Sequence, residues 1–414
     1  RSTQWLIQFL SDVAKNWLRP DYPLRRLALQ EGQHHTGFSR QTIGAGLDGF
    51  FRHVTEENLR ALLEQDLGTV DRLDQFKSVD VEQRGNRASV VTAPELLVHI
   101  TAGNVPNPTL MSMLLGVLLK SAQFIKCASG AAALPRLFAH SLYEAEPKLG
   151  ACLEIAEWRG GKNNLEQALY DHADCVTATG SDETLAEVAR RVPARARFIG
   201  YGHQVSFGFV SAEVLTDMHA GKIIERAAAD VTAWNQLGCL SPHVFYVEDG
   251  GAVLPHQFAE RLAKELEKRE QSEPRGELPV PISSAIASRR SIYEMRAAHS
   301  EETRLWSSPH STSWTVVFEA DPQFQLSCLH RFIYVKRVAA LAEALQGADV
   351  VRGKVSTVGL AVPEHQAQGV ALQLARWGAT RVCPLGQMQN PPLTWRHDGR
   401  PALGDLVVWT DWEQ

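Results

Sequence analysis

The side chain best suited to covalent chemistry is Cys239, in the run Asn235-Gln-Leu-Gly-Cys239-Leu-Ser-Pro-His243. A thiolate is the most nucleophilic ordinary side chain, and the glycine before it leaves room for a substrate carbonyl to approach. A cysteine also serves as a small buried hydrophobe, so its meaning depends on its company. Upstream, Asn104 follows one apolar run in Thr101-Ala-Gly-Asn104-Val-Pro106, and Lys126 ends the next, Gln123-Phe-Ile-Lys126. Gly180-Ser181 then precedes Asp182-Glu-Thr184. Each residue has a chemical and a plain reading. Asn104 lies where a ligand could meet a strand's carboxyl end, or is a turn Asn before proline. Lys126 lies at the next such end, or is a solvated strand-end lysine. Gly180 and Ser181 can seat a phosphate on backbone amides at a helix start, or Ser181 is a simple N-cap.

These residues need elements to position them. Leu96–Ile100 reads as a short strand, Met111–Leu119 as a buried helix, and Gln123–Lys126 as a second strand. Cys152–Glu157 and Ala173–Thr179 continue the rhythm as strands, with helices at Asn164–His172 and after Gly180. Strand alternating with helix implies a parallel sheet, whose ligands sit at the carboxyl ends of strands, where Asn104 and Lys126 fall. Before this, Trp5, Leu6, Phe9, Leu10, Val13 and Trp17 at helical spacing, and Thr55 capping a run through Leu59, Leu62 and Leu63, predict packing helices. Arg197–Val210 is a strand-like run broken by glycines, expected to cross between domains. Helical Ile223–Trp234 leads into Cys239, and His243–Val247 is a strand. A charged helix, Phe258–Lys268, and a linker rich in Pro and Glu follow. Strands at Arg331–Val335 and Ser356–Leu360 alternate with helices at Val338–Leu345 and His365–Trp377.

At 414 residues, two domains are the natural expectation. With 42 basic against 47 acidic residues, there is no electrostatic footprint for nucleic acid or an acidic membrane surface. The longest apolar run, Leu110–Leu119, is too short to span a bilayer. Six scattered cysteines form neither a disulfide framework nor a metal-ligating pattern, and suit a reducing cytoplasm.

Taken in order, Gly103-Asn104-Val-Pro106, Ile125-Lys126-Cys-Ala-Ser129, Thr179-Gly180-Ser181 and Asn235-Gln-Leu-Gly-Cys239 resemble the signature segments of the aldehyde dehydrogenase superfamily. Gly202-His-Gln-Val-Ser-Phe-Gly208, Asn235–His243, Arg381-Val-Cys-Pro-Leu-Gly-Gln-Met-Gln389 and Trp395-Arg-His-Asp-Gly399 resemble, more closely, the LuxC-type acyl-CoA reductases. The resemblance runs from about Trp17 to the end. It implies an α/β fold with a Rossmann-type nicotinamide domain over residues 1–202 and an α/β catalytic domain over 203–385. The tail, 386–414, is expected to return to the cofactor domain or to a neighbouring subunit.

It also implies a reaction, in which Cys239 takes the acyl group of acyl-CoA, or of a carrier-bound thioester, and NADPH reduces it to aldehyde. Asn104 and the Cys239 N–H would form the oxyanion hole, with Lys126, Ser129, Gly180 and Ser181 on the cofactor. NAD-preferring relatives have a glutamate where Ser129 stands, so NADPH is the expected donor. No carboxylate occurs in Tyr201–Ser206 to activate water, which favours reduction over hydrolysis. His203 there either protonates the departing group or bonds nearby backbone. Leu329-His-Arg331 replaces the segment whose glutamate contacts the nicotinamide ribose in relatives. The resemblance further implies a homo-oligomer and an acyl-protein synthetase partner. Aldehyde oxidation, and acyl transfer or thioester hydrolysis through the same cysteine, are the competing readings.

Overall fold

The computed structural model describes residues 1–413. They divide into two units, one comprising Arg1–Thr36, Gly46–His203 and Pro392–Gln414, the other Gly37–Ala45 and Gln204–Pro391.

In the first unit the helix Thr3–Leu18 starts where Ser2 accepts from Trp5 N at 3.2 Å, and its apolar stripe carries Leu6, Leu10, Val13 and Trp17 inward. Trp17 stacks on Phe51 at 5.0 Å and donates to Ser141 Oγ at 2.9 Å, so its one polar atom is satisfied in the core. Six strands follow: β1 (Arg87–Thr92), β2 (Leu96–Ile100), β3 (Ala122–Cys127), β4 (Leu153–Glu157), β5 (Cys175–Thr179) and β6 (Arg197–Tyr201). The last five form one parallel sheet in the order β4-β3-β2-β5-β6. Its central strand is buried on both faces, which leaves His99 without water. The ring is satisfied sideways instead, by Thr177 Oγ1 on β5 at 2.7 Å and Gln123 Oε1 on β3 at 3.2 Å. Burial holds His99 down at about 4, hence neutral. The Gln123 side chain occupies the place a Cβ on Gly116 would need, so the helix Asn107–Leu118 tolerates only glycine there.

The second unit carries β7 (Val205–Val210), β8 (Pro242–Glu248), β9 (Thr303–Ser307), β10 (Thr315–Glu319), β11 (Phe332–Val338), β12 (Val355–Ala361) and β13 (Val382–Pro384). They lie in the order β13-β12-β7-β8-β11-β10-β9, parallel except for β9. Alternation along β8 sends Phe245 and Val247 to a core shared with helices Ala220–Thr232 and Pro255–Ser272. Val244 and Tyr246 go to the opposite core, with Ile286, Tyr293 and Leu374 from helices Val280–His299 and Glu364–Trp377. Both faces are covered, so the strands read as continuous apolar runs.

The run Arg197–Val210 is two strands in two sheets, β6 and β7, parted at Gly202-His203-Gln204. The tail forms β14 (Val408–Glu413), antiparallel to β1 in a separate two-stranded ribbon of the first unit. Among the described residues, no helix is long and apolar enough to cross a membrane.

Candidate active site

Cys239 enters its turn through an unusual piece of backbone. The helix Ala220–Thr232 stops, and Trp234, Asn235 and Gln236 then take left-handed φ values of 48, 50 and 66°. Such conformations cost roughly 1–2 kcal/mol each for side chains of this size, so the surroundings must enforce them. Asn235 donates to Arg275 O at 2.8 Å and accepts from Arg331 Nε at 3.1 Å. Gln236 donates to Pro242 O at 2.7 Å and Phe332 O at 2.9 Å. Trp234 packs edge-on against Phe38.

The partner segment is equally strained, with Leu329, His330 and Arg331 at 59, 55 and 67°. Arg331 is only 1% exposed and pairs with Glu270 at 2.8 Å. Burial lowers its guanidinium to about 10, against the pull of Glu270, and it stays charged at neutral pH. Where the resemblance implies a contact to the nicotinamide ribose, this chain therefore has a second left-handed segment bonded to the first.

The turn itself is closed by Ser241 N donating to Gly238 O at 2.9 Å. Cys239 is half-buried at the amino end of β8, opposite to the strand end where parallel-sheet sites usually lie. Ser206 Oγ, on β7, donates to Cys239 O at 2.7 Å and accepts from Thr357 N at 3.1 Å. The room beside Gly238 is taken by the Gln389 amide, 2.7 Å from where a Cβ would stand. In the sequence, Ser206 and Gln389 fall inside segments that resemble the LuxC-type reductases, but nothing in their type or spacing singles them out within those segments.

The other candidates belong to the first unit, Lys126 near the carboxyl end of β3 and the rest beyond the carboxyl ends of parallel strands. Asn104 is exposed in the connection from β2 to the helix Asn107–Leu118. Strand order reverses between β2 and β5, which opens a crevice at their carboxyl ends, rimmed by Thr101–Asn104 and by Gly180-Ser181. Lys126 corrects the picture of a solvated lysine. It is 6% exposed, with Nζ 5.8 Å from the centre of the Trp158 ring. Ser181 is the N-cap of the helix Asp182–Arg191 and accepts from Thr184 N at 3.3 Å, with Asp182 and Glu183 in the first turn.

Ser129 is exposed, and the adjoining Gly130, at φ +83°, donates its N–H to Glu157 Oε1 at 2.7 Å. A carboxylate thus reaches this loop from β4, although none stands at position 129. His203 has an exposed ring, and its backbone N–H faces Asp182 Oδ1 at 3.4 Å. Two residues earlier, Tyr201 stacks on His397 at 4.5 Å, His397 meets Trp395 at 4.7 Å, and Arg400 donates to Gly200 O at 3.2 Å. The segment Trp395–Arg400 is a structural buttress for the end of β6. A dinucleotide suits this sheet edge, with its order reversal, glycine turn and lysine.

The architecture matches solved structures over the whole chain. One is a bifunctional proline utilization A protein (TM-score 0.73, 13% identity, 100% of this chain and 43% of that one). Another is an NAD-dependent benzaldehyde dehydrogenase from Corynebacterium glutamicum (TM-score 0.69, 13% identity, 100% and 86%). The fold is that of the aldehyde dehydrogenases, as the four sequence segments implied. The family model described as acyl-CoA reductase (LuxC) matches residues 1–409, and the chain belongs to that family. It is similar to the long-chain acyl-protein thioester reductase of Aliivibrio fischeri, 23% identical over 419 residues, 99% of this chain and 82% of the relative.

Proposed function

We propose that the protein reduces an acyl thioester to the aldehyde with NADPH, in the cytoplasm, by way of an acyl group held on Cys239. The Cys239 thiolate attacks the thioester carbonyl, the C–S bond to CoA or to a carrier thiol breaks, and the departing thiolate takes a proton from His203. The nicotinamide, when bound, supplies the hydride that reduces the new thioester. Collapse of the thiohemiacetal then releases aldehyde and restores the Cys239 sulfur. The Cys239 N–H and the Asn104 side chain donate to the oxyanion, each worth about 3 kcal/mol. Lys126, Ser129, Gly180 and Ser181 hold the dinucleotide.

The observation that carries this reading is the turn at Cys239: half-buried, strained on its entry side, bonded to Ser206 through the Cys239 carbonyl and to Pro242 and Phe332 through Gln236. Such an expenditure on one cysteine fits a group that must meet a substrate in one orientation. The family supports a thioester donor, and the relatives' names an acyl-protein one. We therefore include acyl-protein, with an acyl-protein synthetase as its source, beside acyl-CoA, and a homo-oligomeric enzyme.

The test is incubation with acyl-CoA and with acyl-protein donors, following intact mass and NADPH absorbance. An acyl adduct on Cys239 that disappears as NADPH is oxidised, and is absent in Cys239→Ser, is the expected result. An adduct without NADPH oxidation would turn the reading towards acyl transfer.

A further inference from the structure

The segment Gly386–Gln389 of the second unit is gripped on both hydrogen-bonding sides by ionisable groups. Asp230, buried in the helix Ala220–Thr232, accepts from Gly386 N at 2.5 Å and Met388 N at 2.9 Å. Arg381 donates to Gln387 O at 2.8 Å and Met388 O at 2.7 Å. A carboxyl buried in an alanine-rich helix and a guanidinium committed to two carbonyls are costly means of fixing a short turn. What depends on that turn is Gln389. Its amide donates to Ser241 Oγ and fills the space beside Gly238. Gly238 and Ser241 bracket Cys239.

A second route joins Arg381 to the same cysteine. Arg381 Nη1 lies 3.4 Å from Thr357 Oγ1, Thr357 N donates to Ser206 Oγ at 3.1 Å, and that hydroxyl donates to Cys239 O at 2.7 Å. Burial pushes the Arg381 guanidinium down, and the negative forms of Cys383, Asp230 and Cys239 oppose that. Cys383 is pushed up to about 11 by its own burial, so it is a neutral thiol at physiological pH. The Arg381 charge and the Cys239 sulfur are thus within electrostatic reach of each other.

We propose that Arg381 and Asp230 are positioning residues for Cys239. They fix Gly386–Gln389 so that Gln389 braces the Gly238–Ser241 turn, and they place the Arg381 charge within reach of the Cys239 sulfur. The proposal rests on the reading of Cys239 as the nucleophile. The experiment measures the rate of Cys239 alkylation by iodoacetamide against pH in the full chain, quantified on the labelled peptide. Arg381→Gln is expected to raise the midpoint by about one pH unit, on the order of tenfold slower labelling below it. Arg381→Lys, which keeps the charge, returns the midpoint towards wild type.

A lost side-chain packing role alone would not produce that charge-dependent rescue. An Arg381→Gln midpoint equal to wild type overturns the proposal. Should that variant fail to fold, Gln389→Ala decides. A several-fold drop in kcat at constant KM supports the brace, and an unchanged kcat overturns it. Incubation with an acyl thioester tests the underlying reading separately. A shifted midpoint with no acyl adduct on Cys239 would sink the acylation chemistry and leave the Arg381 assignment standing.

Discussion

If the loop at Ser129 holds the adenosine ribose as proposed, Glu157 is the side chain whose charge bears on cofactor choice. Ser129 leaves its own position without a carboxylate, but Gly130, next along the loop, is hydrogen-bonded to Glu157. A carboxylate at a ribose site would accept from its hydroxyls and repel a 2′-phosphate, and so would act against the NADPH preference proposed from Ser129. Glu157→Gln removes one negative charge and keeps an acceptor for Gly130 N. The ratio of NADPH to NADH affinity is expected to rise about tenfold, equivalent to ~1.4 kcal/mol. Direct binding titrations of the two cofactors check it, and a ratio that does not move would show that Glu157 lies outside the ribose site. Ser129→Glu should act in the opposite sense, lowering the NADPH affinity relative to NADH in the same titration.

Among elements, the two left-handed segments, Trp234–Gln236 and Leu329–Arg331, are the least replaceable. Asn235→Ala deletes the acceptor for Arg331 Nε and the donor to Arg275 O, stranding a buried guanidinium N–H. Urea unfolding of this variant is expected to show a loss of about 2–3 kcal/mol, with Cys239 labelling faster because its turn loosens. A loss below about 0.5 kcal/mol, the range of an ordinary surface change, would mean the strain is held elsewhere.

Neither segment was legible in the sequence, because Trp, Gln, Leu and Arg carry no signal for positive φ and the bonds that impose it span about 96 residues. Strands β2, β3, β5, β8, β11 and β12 were legible, since a short continuous apolar run between turn residues is the pattern of a strand covered on both faces. The helix Val280–His299 was not, because Ile286 and Tyr293 are its only buried apolar residues and a proline-rich stretch leads into it. Cys239 stood out by its residue type and its neighbours. Asp230 and Arg381 did not, because an Asp in an alanine-rich helix and an Arg before a strand look solvated until packing buries the first and half-buries the second.

At the scale of the molecule, the two units should respond differently to acid. His99, in the first, is held neutral with its pKa down at about 4, whereas an unfolded histidine titrates near 6.5. As pH falls below 6.5 the unfolded chain gains a proton that the folded unit refuses, and about 2 kcal/mol is lost between pH 7 and 5. Glu82, in the same unit, is lowered against its own desolvation by the Val79 N–H, the Ser89 hydroxyl and the charges of Arg72 and Arg87, and adds a further loss only below its ordinary value of 4.5.

The second unit contains His330, also held at about 4 by burial and by Arg275, but it contains Asp230 as well, raised by burial to about 7. Below pH 7 the folded carboxyl binds a proton that the unfolded one releases until about pH 4, a gain of about 2 kcal/mol over the same interval. The two effects cancel there. Hydrogen exchange at pH 7 and 5, corrected for intrinsic rates, should therefore show the amides of β2 and β5 losing protection while those of β8 and β11 hold theirs. In His99→Gln the loss in β2 and β5 should shrink by the same ~2 kcal/mol. Equal losses in both sheets, or no change in the His99→Gln comparison, would mean that these buried groups do not set the acid response.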